Sequence, residues 1–278
     1  MSVAVVFDSA GTLLHTYRVA KDVLHDEMLV DIETTTLTYA SDDRALVTIY
    51  VHSRDIIDAS PDMLLSAYLA EHRIGFGIAC ACGVVTADQV ASALAADKKA
   101  RIGDLQECIR TVWKICKKEA VVAMASGVIL NTTRNAIEYV ITSGGRPFPG
   151  AKSTIRRLQE MGVATYVASG DRTDKLVRMA DYLGIPHNNV HGVATPSIKA
   201  QVIEDLKTQY DVVVMVGDGI NDLTAMTRAD VAILSEQQSG KKPEPLYATA
   251  DFVIQQVTEV PDIVASLESK ERKQSVSI

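Results

Sequence analysis

No apolar run in the chain approaches the ~18 residues that a membrane span requires. Ala120–Leu130 comes nearest and is too short, so no membrane insertion is expected. Positive charge is also in deficit: 28 Lys and Arg stand against 35 Asp and Glu, a net charge of −7 spread along the sequence. That balance argues against nucleic acid or an anionic membrane as partner. No signal peptide opens the sequence, which runs straight into an apolar strand pattern at Val3. Cysteine is scarce, with Cys80, Cys82, Cys108 and Cys116 alone, and that points to a reducing, cytoplasmic setting. Cys80-Ala-Cys82 lacks both the CxxC spacing and the matching pair of a metal site. All four are expected as buried structural thiols.

At 278 residues the chain is long enough for a large core and two domains. The stretch Val3–Leu14, VAVVFDSAGTLL, opens with an apolar run that reads as a strand buried on both faces. The run stops at Asp8, and Gly11-Thr12 supply a turn. A carboxylate at the C-terminal end of a buried parallel strand stands where open α/β sheets place ligands. Taken alone, Asp8 is equally a turn cap. Two later stretches repeat the pattern: ATYVASGD ends in Ser169-Gly170-Asp171, and VVVMVGDGIND ends in Asp218 and Asp222. Between them Pro196-Ser197-Ile198-Lys199 opens a helical pattern with one lysine in its first turn.

Asp, then Ser-Gly-Asp, then Pro-x-x-Lys, then Gly-Asp-Gly-x-Asn-Asp, in this order, resembles the haloacid dehalogenase (HAD) superfamily. The wording looks most like the phosphorylation domain of P-type ATPases. The resemblance implies a three-layer, Rossmann-like α/β core around a parallel sheet, with an inserted α+β cap. It implies a Mg²⁺-dependent phosphohydrolase or phosphotransferase in which Asp8 attacks phosphorus and becomes an aspartyl-phosphate. Asp8 and Asp218 would hold the Mg²⁺, a hard cation suited to carboxylates and phosphate oxygens, and the Ala10 carbonyl would complete its coordination. Lys199 brings a compact positive charge, and Ser169 and Gly170 can donate to phosphoryl oxygens. Asp171 falls to the phosphoryl pocket. Asn221 and Asp222 would orient water or Lys199 from behind. The implied partner is a phosphorylated small molecule or nucleotide. A P-type-like catalytic core without membrane helices would not transport ions by itself.

One position departs from the pattern. HAD phosphatases usually carry a second Asp two residues after the nucleophile, as general acid and base, and here that residue is Ala10. Loss of such a group removes roughly 10²–10⁴-fold, so phosphorylation of Asp8 is expected to outpace release by water. Two alternatives follow: a phosphate-binding regulatory module with little turnover, or a phosphonate hydrolase, whose relatives have Ala at this position. The phosphonate reading requires a cap lysine, and none lies between Lys21 and Lys98. His15 is the nearest substitute proton donor and reads more simply as a surface or hinge residue. Glu71–Gly77, EHRIGFG, invites comparison with nucleotide-binding residues but reads as a helix end and turn. The KGA motif of many ATPase nucleotide sites is missing, so ATP as donor has no support. Asp174 and Lys175 read as solvated helix charges.

The expected division is core over 1–16, cap over 17–145 and core again over 146–278. Within the cap, Leu29–Ala40 and Ala45–Val51 read as a β-hairpin, Ser60-Pro61 as the start of a helix to His72, and Thr86-x-x-Gln89 as a capping box. Arg101–Lys118 has helical spacing, and Val121–Leu130 and Ala136–Thr142 read as strands. Beyond Pro149, alternating helices and strands imply a parallel sheet with helices on both faces. Gln237–Pro245 reads as a polar loop, Asp251–Ile254 as an edge strand and Glu268–Ile278 as a frayed tail.

Overall fold

Val3–Phe7 forms β1, with no residue more than 2 % exposed, as an uninterrupted apolar run should. The computed structural model describes residues 1–116, 123–238 and 242–275. After the Asp8 loop, β2 (Leu14–Asp22) and β3 (Glu27–Val30) pair antiparallel. Helix α1 (Thr34–Tyr39), β4 (Arg44–Ile49), helices α2 (Ser53–Asp58) and α3 (Leu65–Glu71), and β5 (Phe76–Ala81) follow. The capping box forms at α4 (Ala87–Ala96): Gln89 N donates to Thr86 Oγ1 at 3.2 Å, and Thr86 N to Gln89 Oε1 at 2.8 Å. Helix α5 (Ile102–Ile115) buries Ile102, Leu105, Ile109 and Val112 along one face. Strands β6 (Ala123–Asn131) and β7 (Ala136–Pro147) complete a sheet of order β3-β2-β7-β6-β4-β5.

From Phe148 helices and strands alternate. The elements are α6 (Ala151–Glu160), β8 (Ala164–Ala168), α7 (Thr173–Leu183), β9 (Val190–His191), α8 (Pro196–Lys207) and β10 (Val212–Gly217). Then come α9 (Leu223–Arg228), β11 (Val231–Ser235), α10 (Glu244–Thr249), β12 (Phe252–Ile254) and α11 (Val260–Ser275). The second sheet is parallel, in the order β12-β11-β10-β1-β8-β9. Its register sets Phe7 opposite Val216 on β10 and Val167 on β8. The loops after β1, β8 and β10 therefore leave the sheet at one level, on the edge where such sheets hold ligands. One face of this sheet packs Ala4, Val6 and Met215 against Ile203 of α8 and Met226 of α9.

The chain divides into two units, 1–16 with 145–278, and 17–144. The parallel sheet belongs to the first and the antiparallel sheet to the second, each with its own apolar core. No helix among the described residues is long and apolar enough to cross a membrane.

Several expected elements differ. Leu29–Ala40 with Ala45–Val51 is not a hairpin: β3 stops at Val30, Thr34–Tyr39 is helical, and β4 pairs with β5 and β6. The β-branched threonines read as a strand, yet Thr38 Oγ1 donates back to Thr34 O at 2.7 Å within the helix. The helix expected from Ser60-Pro61 begins at Leu65, and α2 precedes it. Helix α3 ends at Glu71 as expected, but Phe76 and Gly77 open β5, an edge strand, rather than a turn. Cys108 and Cys116 are buried, whereas Cys80 and Cys82 are only half-buried; all four stand outside any disulfide. Glu244 and Pro245, expected in a loop, open α10. Lys117 and Lys118 of the expected helix, Val121 and Val122 of the expected strand, residues 239–241 of the polar loop and residues 276–278 of the tail lie outside the described residues.

Candidate active site

Asp8 is the first residue past β1, and its N–H donates to Val216 O on β10 at 2.9 Å. The loop then turns at Gly11, whose φ is +73°. A Cβ there would stand 2.0 Å from Asp218 Oδ2, so glycine alone lets the Asp8 loop and the Asp218 loop approach this closely. The Asp8 loop is further fastened by Ser235 Oγ, which donates to Gly11 O at 2.9 Å, and by Gln237 Nε2, which donates to Thr12 O at 2.9 Å.

Lys199 reaches the same point from α8. Thr195 caps this helix by accepting from Ile198 N at 3.4 Å, and Pro196 occupies its first turn. The Lys199 ammonium donates to Asp8 Oδ1 and to Asp222 Oδ1, both at 2.6 Å, and all three side chains are at most 5 % exposed. The other oxygen of Asp222 accepts from the N–H groups of Asp218 and Gly219, at 3.1 and 3.2 Å. Asp222 thus ties the lysine to the backbone of the Asp218 turn. One oxygen from each of Asp8, Asp218 and Asp222 lies within 4.8 Å of the others.

This packing is electrostatically lopsided. Burial pushes the Asp8 carboxyl up to about 8; Asp222 and Asp218 add to the rise, and Lys199 opposes it. Burial works against the Lys199 charge, but Asp8 and Asp222 outweigh it and hold the ammonium above the ordinary lysine range. Three carboxylates converge on Lys199 and on Lys242, which donates to Asp218 Oδ2 at 2.9 Å. An all-oxygen cluster of this charge, built around a glycine cradle, suits a hard divalent cation. The Ser9 and Thr12 hydroxyls are buried in the same loop and find no hydrogen-bond partner among the described residues.

The predicted residues fall into two groups. Asp8, Lys199, Asp218 and Asp222 converge. Ser169, Gly170 and Asp171 stand past β8, one strand from β1 at the same edge, with Ser169 buried and Gly170 exposed. Ser169 N donates to His191 O at 3.0 Å, and its Oγ accepts from Asp171 N at 3.3 Å. Among the described residues no hydrogen bond joins this turn to Asp8. Ala10 is half-buried in the Asp8 loop, and Asn221 is exposed in the turn Ile220–Asp222. His15 packs on Phe148, ring centroids 5.4 Å apart. The Asp174 side chain lies outside the described residues. At Glu71–Gly77, a Cβ on Gly77 would stand 2.2 Å from the Tyr50 hydroxyl, so packing alone accounts for that glycine. Sequence reasoning read Gln237–Pro245 only as a polar loop and missed its bonds to the Asp8 loop and to Asp218, because Gln237 and Lys242 sit in no motif.

The sequence model of the haloacid dehalogenase-like hydrolases matches residues 3–230. Over its whole length the chain is 31 % identical to a protein of Methanocaldococcus jannaschii named as a soluble P-type ATPase-like phosphatase, and it covers 98 % of that protein. A copper-transporting ATPase of Helicobacter felis is 39 % identical over 90 residues, which are 32 % of this chain and 12 % of that one. A crystal structure of a zinc-transporting PIB-type ATPase aligns with 99 % of this chain and 42 % of its own, at 17 % identity and a TM-score of 0.49.

Proposed function

Because the chain belongs to the haloacid dehalogenase-like hydrolases, we propose that it is a phosphohydrolase or phosphotransferase working through an aspartyl-phosphate on Asp8. The observation that carries this reading is the pair of 2.6 Å contacts from Lys199 to Asp8 and Asp222 beside Asp218. Asp8 Oδ would form the bond to phosphorus as the bond to the leaving oxygen breaks. The lysine would offset the charge of Asp8 and of the incoming phosphoryl group. Asp8, Asp218 and the Ala10 carbonyl would hold a Mg²⁺, which when bound supplies Lewis-acid charge for the phosphoryl oxygens. Ser169, Gly170 and Asp171 would receive those oxygens from the β8 side. Asp222 would fix Lys199 from behind, and Asn221 would orient water. Full-length similarity to a protein named a phosphatase supports the same reading.

Ala10 sharpens the choice of substrate. With no acid two residues after Asp8, a leaving group that departs as a stable anion is favoured over an alkoxide. Acyl phosphates, phosphoanhydrides and aryl phosphates meet that need. The unit 17–144 would act as the cap that selects among such phosphorylated molecules, and four cysteines outside any disulfide fit a cytoplasmic setting. For phosphonate hydrolysis, Lys21 is a poor Schiff-base lysine. Burial disfavours its charge, but Asp26, Asp104 and Glu107, at 2.7 to 3.0 Å, hold it as the ammonium.

Incubation with acetyl phosphate and Mg²⁺ is expected to give an acid-stable, hydroxylamine-labile adduct that Asp8→Asn abolishes. Labelling that persists in Asp8→Asn overturns the proposal. A second reading, a phosphate-binding regulatory module with little turnover, also rests on Ala10, and Ala10→Asp separates the two.

A further inference from the structure

Lys242 carries an inference that rests on the phosphoryl-transfer reading and goes beyond it. Its side chain is 8 % exposed, and its ammonium lies 2.9 Å from Asp218 Oδ2. A buried ammonium is retained only where something holds it, and this one is held from both ends of its segment. On the C-terminal side, Lys242 N donates to the Tyr247 hydroxyl at 3.0 Å, and that hydroxyl donates to Glu236. Gln255 Nε2 donates to the other oxygen of Glu236 at 2.6 Å. On the N-terminal side, Ser235 and Gln237 bond the Asp8 loop, and Gln238 pairs with both backbone groups of Thr16, at 2.8 and 2.9 Å. Residues 235–238 are thus fastened to the Asp8 loop, and Lys242, which presents the cation, is fastened to Tyr247 of α10.

The cation it presents meets the carboxylate that a divalent ion needs. Asp218 Oδ2 is hemmed in by the Gly11 backbone on one side and the Lys242 ammonium on another. A divalent ion on Asp218 would meet that ammonium as a like charge in a poorly solvated site. Lys199 differs in this respect: it lies between Asp8 and Asp222, both almost fully buried, whereas Asp218 is 21 % exposed and open to exchange.

We propose that Lys242 is a built-in stand-in for the divalent cation, holding Asp218 while the ion is absent and competing with it for that carboxylate. It is a positioning residue that sets the affinity of the metal site.

The test uses the full chain with Mn²⁺ alone as probe, read by titration calorimetry and by thermal unfolding with and without the ion. Lys242→Met is expected to bind Mn²⁺ about tenfold more tightly than the unaltered chain, to melt lower without metal and to gain more on its addition. Lys242→Gln, which keeps a hydrogen-bond donor and loses the charge, is expected to move in the same direction should the Met variant not fold. Affinity that is unchanged or weaker in both variants overturns the inference, since a merely structural lysine would loosen the site on removal. Asp218→Asn separates the two levels. If it binds Mn²⁺ as well as the unaltered chain does, the metal site itself fails. If it loses Mn²⁺ while the Lys242 variants bind unchanged, only the competition fails.

Discussion

Gly11→Ala is the substitution on which the geometry makes its most quantitative demand. Two effects add at this position. At φ +73° any side chain meets the left-handed penalty, about 1–2 kcal/mol. In addition the new Cβ lies 2.0 Å from Asp218 Oδ2 and 2.3 Å from its Cγ, so the carboxylate must retreat by about 1.4 Å to reach the 3.4 Å of an ordinary contact. Such a move breaks the 2.9 Å contact with Lys242, and a bond to a charged group contributes about 1.5–3 kcal/mol. The sum is ~2.5–5 kcal/mol. Gly162→Ala is the control: its φ is +78° and no atom of the described residues stands within 4 Å of the new Cβ, so it loses only the backbone part, ~1–2 kcal/mol, offset in part by a less free unfolded chain.

At about 2–4 °C per kcal/mol for a unit of this size, Gly162→Ala should melt within about 8 °C of the unaltered chain. Gly11→Ala should fall by about 5–20 °C in the transition of the unit that carries Asp8. Calorimetry in EDTA measures this, and Mn²⁺ titration and acetyl-phosphate labelling of the same samples measure the site. Gly11→Ala should lose both metal binding and adduct, and Gly162→Ala should keep them. If the two variants melt alike, and Gly11→Ala still binds Mn²⁺ and labels fully, the close approach of the two loops is refuted.

The remaining predictions concern charge and turnover. Ala10→Asp should raise phosphate release from the adduct by roughly 10²–10⁴-fold; unchanged turnover on a panel of phosphorylated metabolites would favour the binding-module reading. Lys199→Met leaves Asp8 and Asp222 buried without the cation they share, and should lower stability by about 3–5 kcal/mol and abolish labelling; a melting point unchanged in EDTA would contradict this. In metal-free protein, Asp8 keeps its proton up to about pH 8 when folded and only to its ordinary 3.8 when unfolded. Its contribution to stability is therefore greatest near pH 4 and declines towards pH 8 by up to ~1.4 kcal/mol per unit. Asp8→Asn should flatten that slope in melts at pH 5, 6, 7 and 8, and a parallel slope in both proteins would refute it.

Much of this site could be read because its parts are local signals. A buried strand that stops at a polar turn announces Asp8, Ser169 and Asp218 within a few residues each, and Pro196 with Thr195 marks the helix that carries Lys199. The convergence of Lys199 on Asp8 followed from family order, not from spacing, since 191 residues separate them. The Thr34–Tyr39 segment misled because threonine favours strands on average, while its fate was settled by packing. Strand β4 likewise found β5 and β6, partners that no adjacent turn signal joins to it. Lys242 and Gln238 were illegible for a related reason. A lysine in a polar loop has the same local signature whether water or Asp218 surrounds it, and only the return of β11 beside β10 decides which.

That return also explains how three carboxylates coexist at one sheet edge. Asp222 and Asp8 share Lys199 in a region closed to water, where loss of the ammonium would leave two buried carboxyl groups facing each other without a cation. Asp218 could not draw on the same lysine without stripping one of them, so the fold supplies a second cation from another loop. The two lysines are therefore not equivalent: one is locked into a buried triad, and the other neutralises the carboxylate nearest solvent. A site arranged this way can exchange charge at Asp218 while Asp8 and Asp222 keep their partner. With Ala10 in place of an acid, the same arrangement would favour formation of an aspartyl-phosphate over its hydrolysis. The two ammonium groups neutralise charge around Asp8 and Asp218 and so ease the approach of a phosphoryl group, whereas the alanine side chain offers no base to the water that would attack the aspartyl-phosphate.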